Sequence, residues 1–174
     1  ASGVPWHYRA LAERLSGSAF VRFSDALTKK KARWPDVLGC AIRFGGRSDD
    51  PARFGDQDLL LATIKRPWTM AFSPFTTRVH DYLENDYFAV SPFKCRGVRR
   101  RLWLRLRPIR TEFQDETGMD RLERLLLALR HADVGFGIDA SYRPRLGWRE
   151  VARVTFDDLV ERRPDEEEVR FDPF

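Results

Sequence analysis

Histidine and cysteine are scarce in this 174-residue chain, with three of the first and two of the second. His7, His80 and His131 stand too far apart to form a metal-ligating spacing. Metal-dependent phosphodiester hydrolysis, which needs His and Asp at short fixed intervals, is therefore not indicated. Asp49-Asp50 and Asp56-x-Asp58 read instead as loop acids, explained as turn residues and a strand entry. Cys40 and Cys95 make neither a zinc pair nor a disulfide framework, which points to a reducing compartment. No run approaches the roughly 18 apolar residues of a membrane helix. The opening ASGVPWHYRALAERL lacks a secretory pattern. A nucleophile elbow, a phosphate-cradling Gly-rich loop and internal repeats are also missing. The expectation is a cytoplasmic protein without membrane association.

What is present is an apolar, aromatic-rich chain, 43% hydrophobic and 13% aromatic, enough for a real core. Its length suits a single domain over 1–174, with a helical extension at 1–18 and an acidic loop and tail at 161–174. Charge is lopsided. Residues 1–110 hold 21 Lys/Arg against 10 Asp/Glu, and residues 111–174 hold 10 against 16. Such a basic front and acidic back can face a partner or satisfy each other within one molecule.

Short apolar segments bounded by Gly, Pro or charged residues predict strands at 19–24, 37–44 and 57–64. Ser73-Pro74 caps a predicted helix through Leu83, and the following DYFAVSPF reads as an irregular loop. Residues 101–109 alternate cleanly, with Leu102, Leu104 and Leu106 opposite Arg101, Trp103, Arg105 and Arg107. Met119, Leu122, Leu125, Leu126 and Leu129 form a helical stripe, and strands follow near 134–142 and 148–156. Several strands, short turns and few helices fit an α+β, mainly β, antiparallel barrel with peripheral helices.

The wording of VRFSDAL, WPDVLGCAIRF and DQDLLLATI resembles the haem catalase superfamily, and more closely its short bacterial catalase-like members, some of which carry a phosphodiesterase label. LLLALRHADVGFGIDA, GWREVARVTFDD and RFDPF extend the resemblance over Ala19 to Phe174, thinning between residues 65 and 115. The resemblance implies a catalase-like barrel in which Arg22 pairs with a haem propionate and Ser24 supports a distal His. Peroxide dismutation also needs that His, an Asn and an axial Tyr. His7 sits in a helical context, the matching stretch 60–64 holds no Asn, and Tyr8, Tyr82, Tyr87 and Tyr142 fall outside the axial context. The implied protein is catalase-related without catalase activity, a small-molecule-binding or structural protein with a pocket lined by Arg22, Ser24 and Thr63. Arg22 alternatively pairs with Asp25 or Asp58. A second reading retains haem through His80 or His131 for peroxidase- or isomerase-like chemistry.

Seven Arg fall within residues 96–110, and Arg99, Arg101, Arg105 and Arg107 mark a basic surface patch. Such a patch can contact a nucleic-acid backbone, but no recognised binding module accompanies it, so nucleic acid is disfavoured. The competing readings are neutralisation in cis by Glu166, Glu167 and Glu168, a homo-oligomer interface, or a scaffold for an acidic protein partner.

Overall fold

Seven strands pair in chain order into one antiparallel sheet: β1 (Ala19–Asp25), β2 (Leu38–Phe44), β3 (Gln57–Ala62), β4 (Tyr87–Ala89), β5 (Trp103–Ile109), β6 (Gly135–Ser141) and β7 (Arg149–Thr155). Short helices accompany it: α1 (Arg9–Arg14), α2 (Ser73–Thr76) and α3 (Arg121–His131). The computed structural model describes residues 4–25, 36–45, 57–65, 73–95, 98, 100–109, 119–131 and 134–157. The acidic tail at 161–174, with Glu166, Glu167 and Glu168, lies outside them, as does Arg99. The fold is mainly β, as expected. Among the described residues no helix is long and apolar enough to cross a membrane.

The sheet curls strongly. Five inter-strand steps separate β1 from β6, which in a flat sheet would span about 24 Å. Yet the rings of Phe23 on β1 and Phe136 on β6 lie 5.7 Å apart. The result is a half-barrel whose edge strands, β1 and β7, are not paired to each other. Strand alternation divides its two faces. Phe23, Cys40, Leu61, Tyr87, Leu106 and Ile138 point inward along paired positions. The register continues this division through β4, β5 and β6, leaving Arg105, Arg107 and Asp139 on the outer face. Leu102, Leu104 and Leu106 are buried, as the alternation requires.

Two elements differ from the sequence expectation. The predicted loop DYFAVSPF contains β4, which joins β3 to β5. Three residues are too few to display a period of two, so neighbouring strands rather than local pattern fix this one. The predicted helix from Ser73 stops at Thr76. Asn85 there accepts from the Arg78 amide and donates to the Arg78 and Asp81 carbonyls, while Asp81 accepts from the Leu83 amide. Such side-chain bonds satisfy the backbone without a continuing helix. The N-terminal segment is also more than an extension, since Tyr8 and Leu11 belong to the core.

α3 begins with a capping box. Asp120 Oδ1 accepts from the amides of Leu122 and Glu123, and Glu123 Oε2 accepts from the Asp120 amide. Leu125 is buried, whereas Leu126 is only half-buried. Truncating Leu104 or Leu125 to Ala should cost about 2–5 kcal/mol in denaturant unfolding, and Leu126→Ala distinctly less. Equal losses at Leu125 and Leu126 would show that the outer flank of this helix is packed as tightly as its inner one.

Candidate functional site

The open side of the half-barrel carries a cavity of about 620 Å³ between β1, β7 and α3. Its size falls within the ~300–1,000 Å³ range of small-molecule sites. Leu122, Leu125, Leu126 and Leu129 of α3 form one wall, so the stripe read in the sequence is the lining of a hollow as well as a core contact. Phe20, Phe23, Phe44, Tyr82 and Phe156 supply aromatic surface, and at its border stand Arg22 and Arg153 with a carboxylate, Asp157.

A buried polar node holds α3 in place over this cavity. Arg121, the first helical residue, meets Asp25 at the end of β1 at 2.5 Å and Asp36 at 3.4 Å. It also donates to the Val79 carbonyl at 3.2 Å. Tyr82 donates its hydroxyl to Asp25 at 2.6 Å, and the Arg121 guanidinium lies 5.6 Å from the Tyr82 ring centre. Burial first, and then the hydrogen bond and charge of Asp25, push the Tyr82 phenol well above its ordinary value of 10.0. Burial likewise raises Tyr87, whose hydroxyl donates to the Tyr82 carbonyl, and the Cys40 thiol. Cys40 is thus a core thiol rather than a nucleophile.

Arg22 borders the cavity, but Ser24 and Thr63 do not. Ser24 stands on the outer face, where a Cβ added to its cross-strand partner Gly39 would come within 2.7 Å of Ser24 Oγ. Thr63 is buried, accepting from the Leu38 amide and bonded to Thr77. Of the two carboxylates considered for Arg22, Asp25 lies on the opposite strand face with Arg121. Asp58 makes two 2.8 Å hydrogen bonds to Arg43. Asp58 stands at the entry of β3, as the sequence suggests, and its pair with Arg43 is almost wholly buried. The register Arg43↔Asp58 places them side by side; sequence alone does not reveal that pairing because it depends on the hairpin register.

The basic strand is largely neutralised by acids of its own sheet. Arg105 meets Asp139 at 2.5 Å and Asp86 at 3.3 Å, and lies 4.9 Å from the Trp148 ring centre. Arg107 joins Asp139 at 3.3 Å and Glu150 at 2.8 Å. Gly137 makes room for this ladder: a Cβ there would fall 2.9 Å from both the Arg107 guanidinium and the Glu150 carboxylate. Arg101 is exposed. Among the described residues no group of three His, Cys, Asp or Glu gathers to hold a metal ion.

No family model, curated protein or solved structure matches this chain.

The raised Tyr82 pKa has a defined consequence for stability. Its contribution is fully present below the unfolded value near 10 and is lost as pH rises toward the higher folded value. Unfolding measured above pH 10 should lose stability more gently in Tyr82→Phe, by up to about 1.4 kcal/mol per pH unit. Identical slopes would place the alkaline loss elsewhere.

Replacing Arg101, Arg105 and Arg107 together by Ser should lower stability by about 1–3 kcal/mol. This is less than breaking a fully buried pair, because Arg107 is more than one-third open to water. Random-sequence duplex should bind weakly to both proteins at about 150 mM salt. An unchanged unfolding midpoint with a large loss of duplex affinity would reverse this assignment.

Proposed function

We propose that this is a catalase-related protein without catalase activity, which binds a small apolar molecule bearing one acid group in the cavity beneath α3. The observation that carries the reading is the lining itself. Four leucines of one helix and five aromatic rings line a hollow of about 620 Å³, with two arginines and one aspartate, Asp157, at its border. An apolar body is driven into such a space by the surface it removes from water, roughly 25 cal/mol per Å². Arg153 also meets Glu150 at 2.8 Å. Arg22 and Arg153 outnumber Asp157, the one carboxylate among the described lining residues, so a net positive border centred on Arg22 favours a negative end group. The Arg-Phe-Ser strand on which the resemblance to catalases rests is β1, the strand that forms the cavity's edge.

The described donor set does not fit haem. Among the described lining residues Tyr82 is the only Tyr, and no His, Cys or Met accompanies it. Its hydroxyl is held in the protonated form by burial and by donation to Asp25, whereas iron ligation calls for the phenolate. His7 borders a different hollow, and His80 is exposed. A scaffold role through the Arg-rich strand draws less support, since Arg105 and Arg107 already meet Asp86, Asp139 and Glu150.

Titration calorimetry with dodecanoate tests the proposal. Saturable binding is expected, weakened by about tenfold or more in Leu126→Arg, which places a charge against the ligand's apolar body. Native mass spectrometry of the same sample reads ligand mass and subunit number together. Protein supplied with haem and peroxide should release no oxygen. Absence of saturable binding, or binding indifferent to the Leu126 substitution, would overturn the cavity assignment; rapid cyanide-sensitive oxygen release would overturn the loss of catalase chemistry.

A further inference from the structure

A second hollow, of about 540 Å³, lies between the N-terminal segment and the turn joining β6 to β7, and shares no lining residue with the cavity beneath α3. We propose that it binds a small phosphorylated molecule carrying a planar aromatic group, of the mononucleotide class.

Charge is the first argument. Arg100, Arg143 and Arg149 all line this hollow, and none of its described lining residues is acidic. All three are exposed, and several other solvent-facing arginines of the chain do meet a carboxylate: Arg78 meets Glu84, and Arg107 and Arg153 meet Glu150. Three guanidinium groups bordering one concavity give it a positive field, which favours a bound dianion that can accept forked hydrogen bonds. Phosphate suits three such donors better than a single carboxylate does.

The aromatic surface is the second. Tyr8 and Tyr142 stack with ring centres 5.2 Å apart and planes 17° from parallel. His7 lies 4.3 Å from Tyr8 and 5.8 Å from Tyr142. The neighbouring Trp6 is 80% exposed and meets His7 edge-on at 5.5 Å. Tyr8 is buried beneath these neighbours, so the faces open to a nucleobase are those of the half-buried His7 and Tyr142, and such stacking tolerates any flat π-face. Burial raises both phenols, and the Tyr142 hydroxyl donates to the His7 carbonyl at 3.5 Å, which fixes its ring at the hollow's edge.

The third argument is that the turn is held in place by the protein itself. Ser141 Oγ donates to the Gly147 carbonyl at 2.6 Å and accepts from the Arg143 amide at 3.1 Å. Trp148 is fixed between Arg105, at 4.9 Å, and Phe88, at 6.2 Å. The segment that presents Arg143 and Arg149 thus needs little ordering when a ligand arrives, which favours affinity.

The test uses the whole chain and four probes: adenosine monophosphate, adenosine, inorganic phosphate and a short single-stranded oligothymidylate, each titrated at about 150 mM salt. Adenosine monophosphate should bind saturably, and adenosine and phosphate at least about tenfold more weakly. Arg143→Ser and Arg149→Ser should each reduce that affinity about tenfold or more, as expected for loss of a charge-assisted hydrogen bond. Tyr142→Leu should weaken the nucleotide and leave phosphate unchanged, and Lys65→Ser, an exposed charge elsewhere, should change nothing. Both arginines are exposed, so their variants should melt with the wild type. The proposal falls if adenosine monophosphate does not bind, if phosphate binds as well as the nucleotide, or if the oligothymidylate binds tighter. It falls equally if affinity is lost only together with the melting temperature.

Discussion

Arg121 is the residue on which the arrangement of the open side depends. A guanidinium is costly to remove from water unless its donors are all met and its charge is opposed. Here Asp25, Asp36 and the Val79 carbonyl meet those donors, so the start of α3 is tied at once to the end of β1, to the approach to β2 and to the segment before the Tyr82 turn. Tyr82 completes the node from the cavity side through its hydrogen bond to Asp25. Losing either carboxylate would leave a buried cation under-paired. The helix is therefore held at one position and angle over the gap between β1 and β7, and the cavity beneath it has a defined wall.

The outer face follows a different logic. There the sheet carries charges directly across from one another, so each arginine finds its acid at cross-strand distance. Arg43 and Asp58 are paired and almost fully buried, and Arg105, Arg107, Asp139 and Glu150 extend the pattern across three strands. Gly137 leaves the space through which this ladder runs. The strongly basic strand is thereby a cohesive element of the sheet more than a surface for a polyanion. The arginines around the β6–β7 turn differ: they are exposed, so burial does not demand a partner, and no described carboxylate shares their hollow.

Much of the framework was legible in the linear chain. Alternation over residues 101–109 identified β5 and its buried leucines, the leucine stripe identified α3, and breakers bounded six of the seven strands within one to two residues. β4 was not legible, because three residues carry no measurable period and are recruited by the strands on either side. The expected helix after Ser73 failed because Asn85 and Asp81 satisfy the backbone locally, a competition that apolar spacing does not register. At the candidate site, Arg22 was recognisable from the Arg-Phe-Ser strand, whereas Phe23, Tyr82 and the α3 leucines became a lining only once β1, β7 and α3 had met.

What the sequence determined alone is thus the set of faces: which residues of each strand or helix avoid water, since that depends on local period and side-chain chemistry. It also determined the scarcity of His and Cys, which removes clustered metal chemistry from the expectation. Register, curl and edge belong to the tertiary structure. Whether an arginine meets Asp58, Asp139 or a ligand depends on which residue stands opposite it. That is set by strand pairing and sheet twist across many positions, not by any residue's own neighbours in the chain.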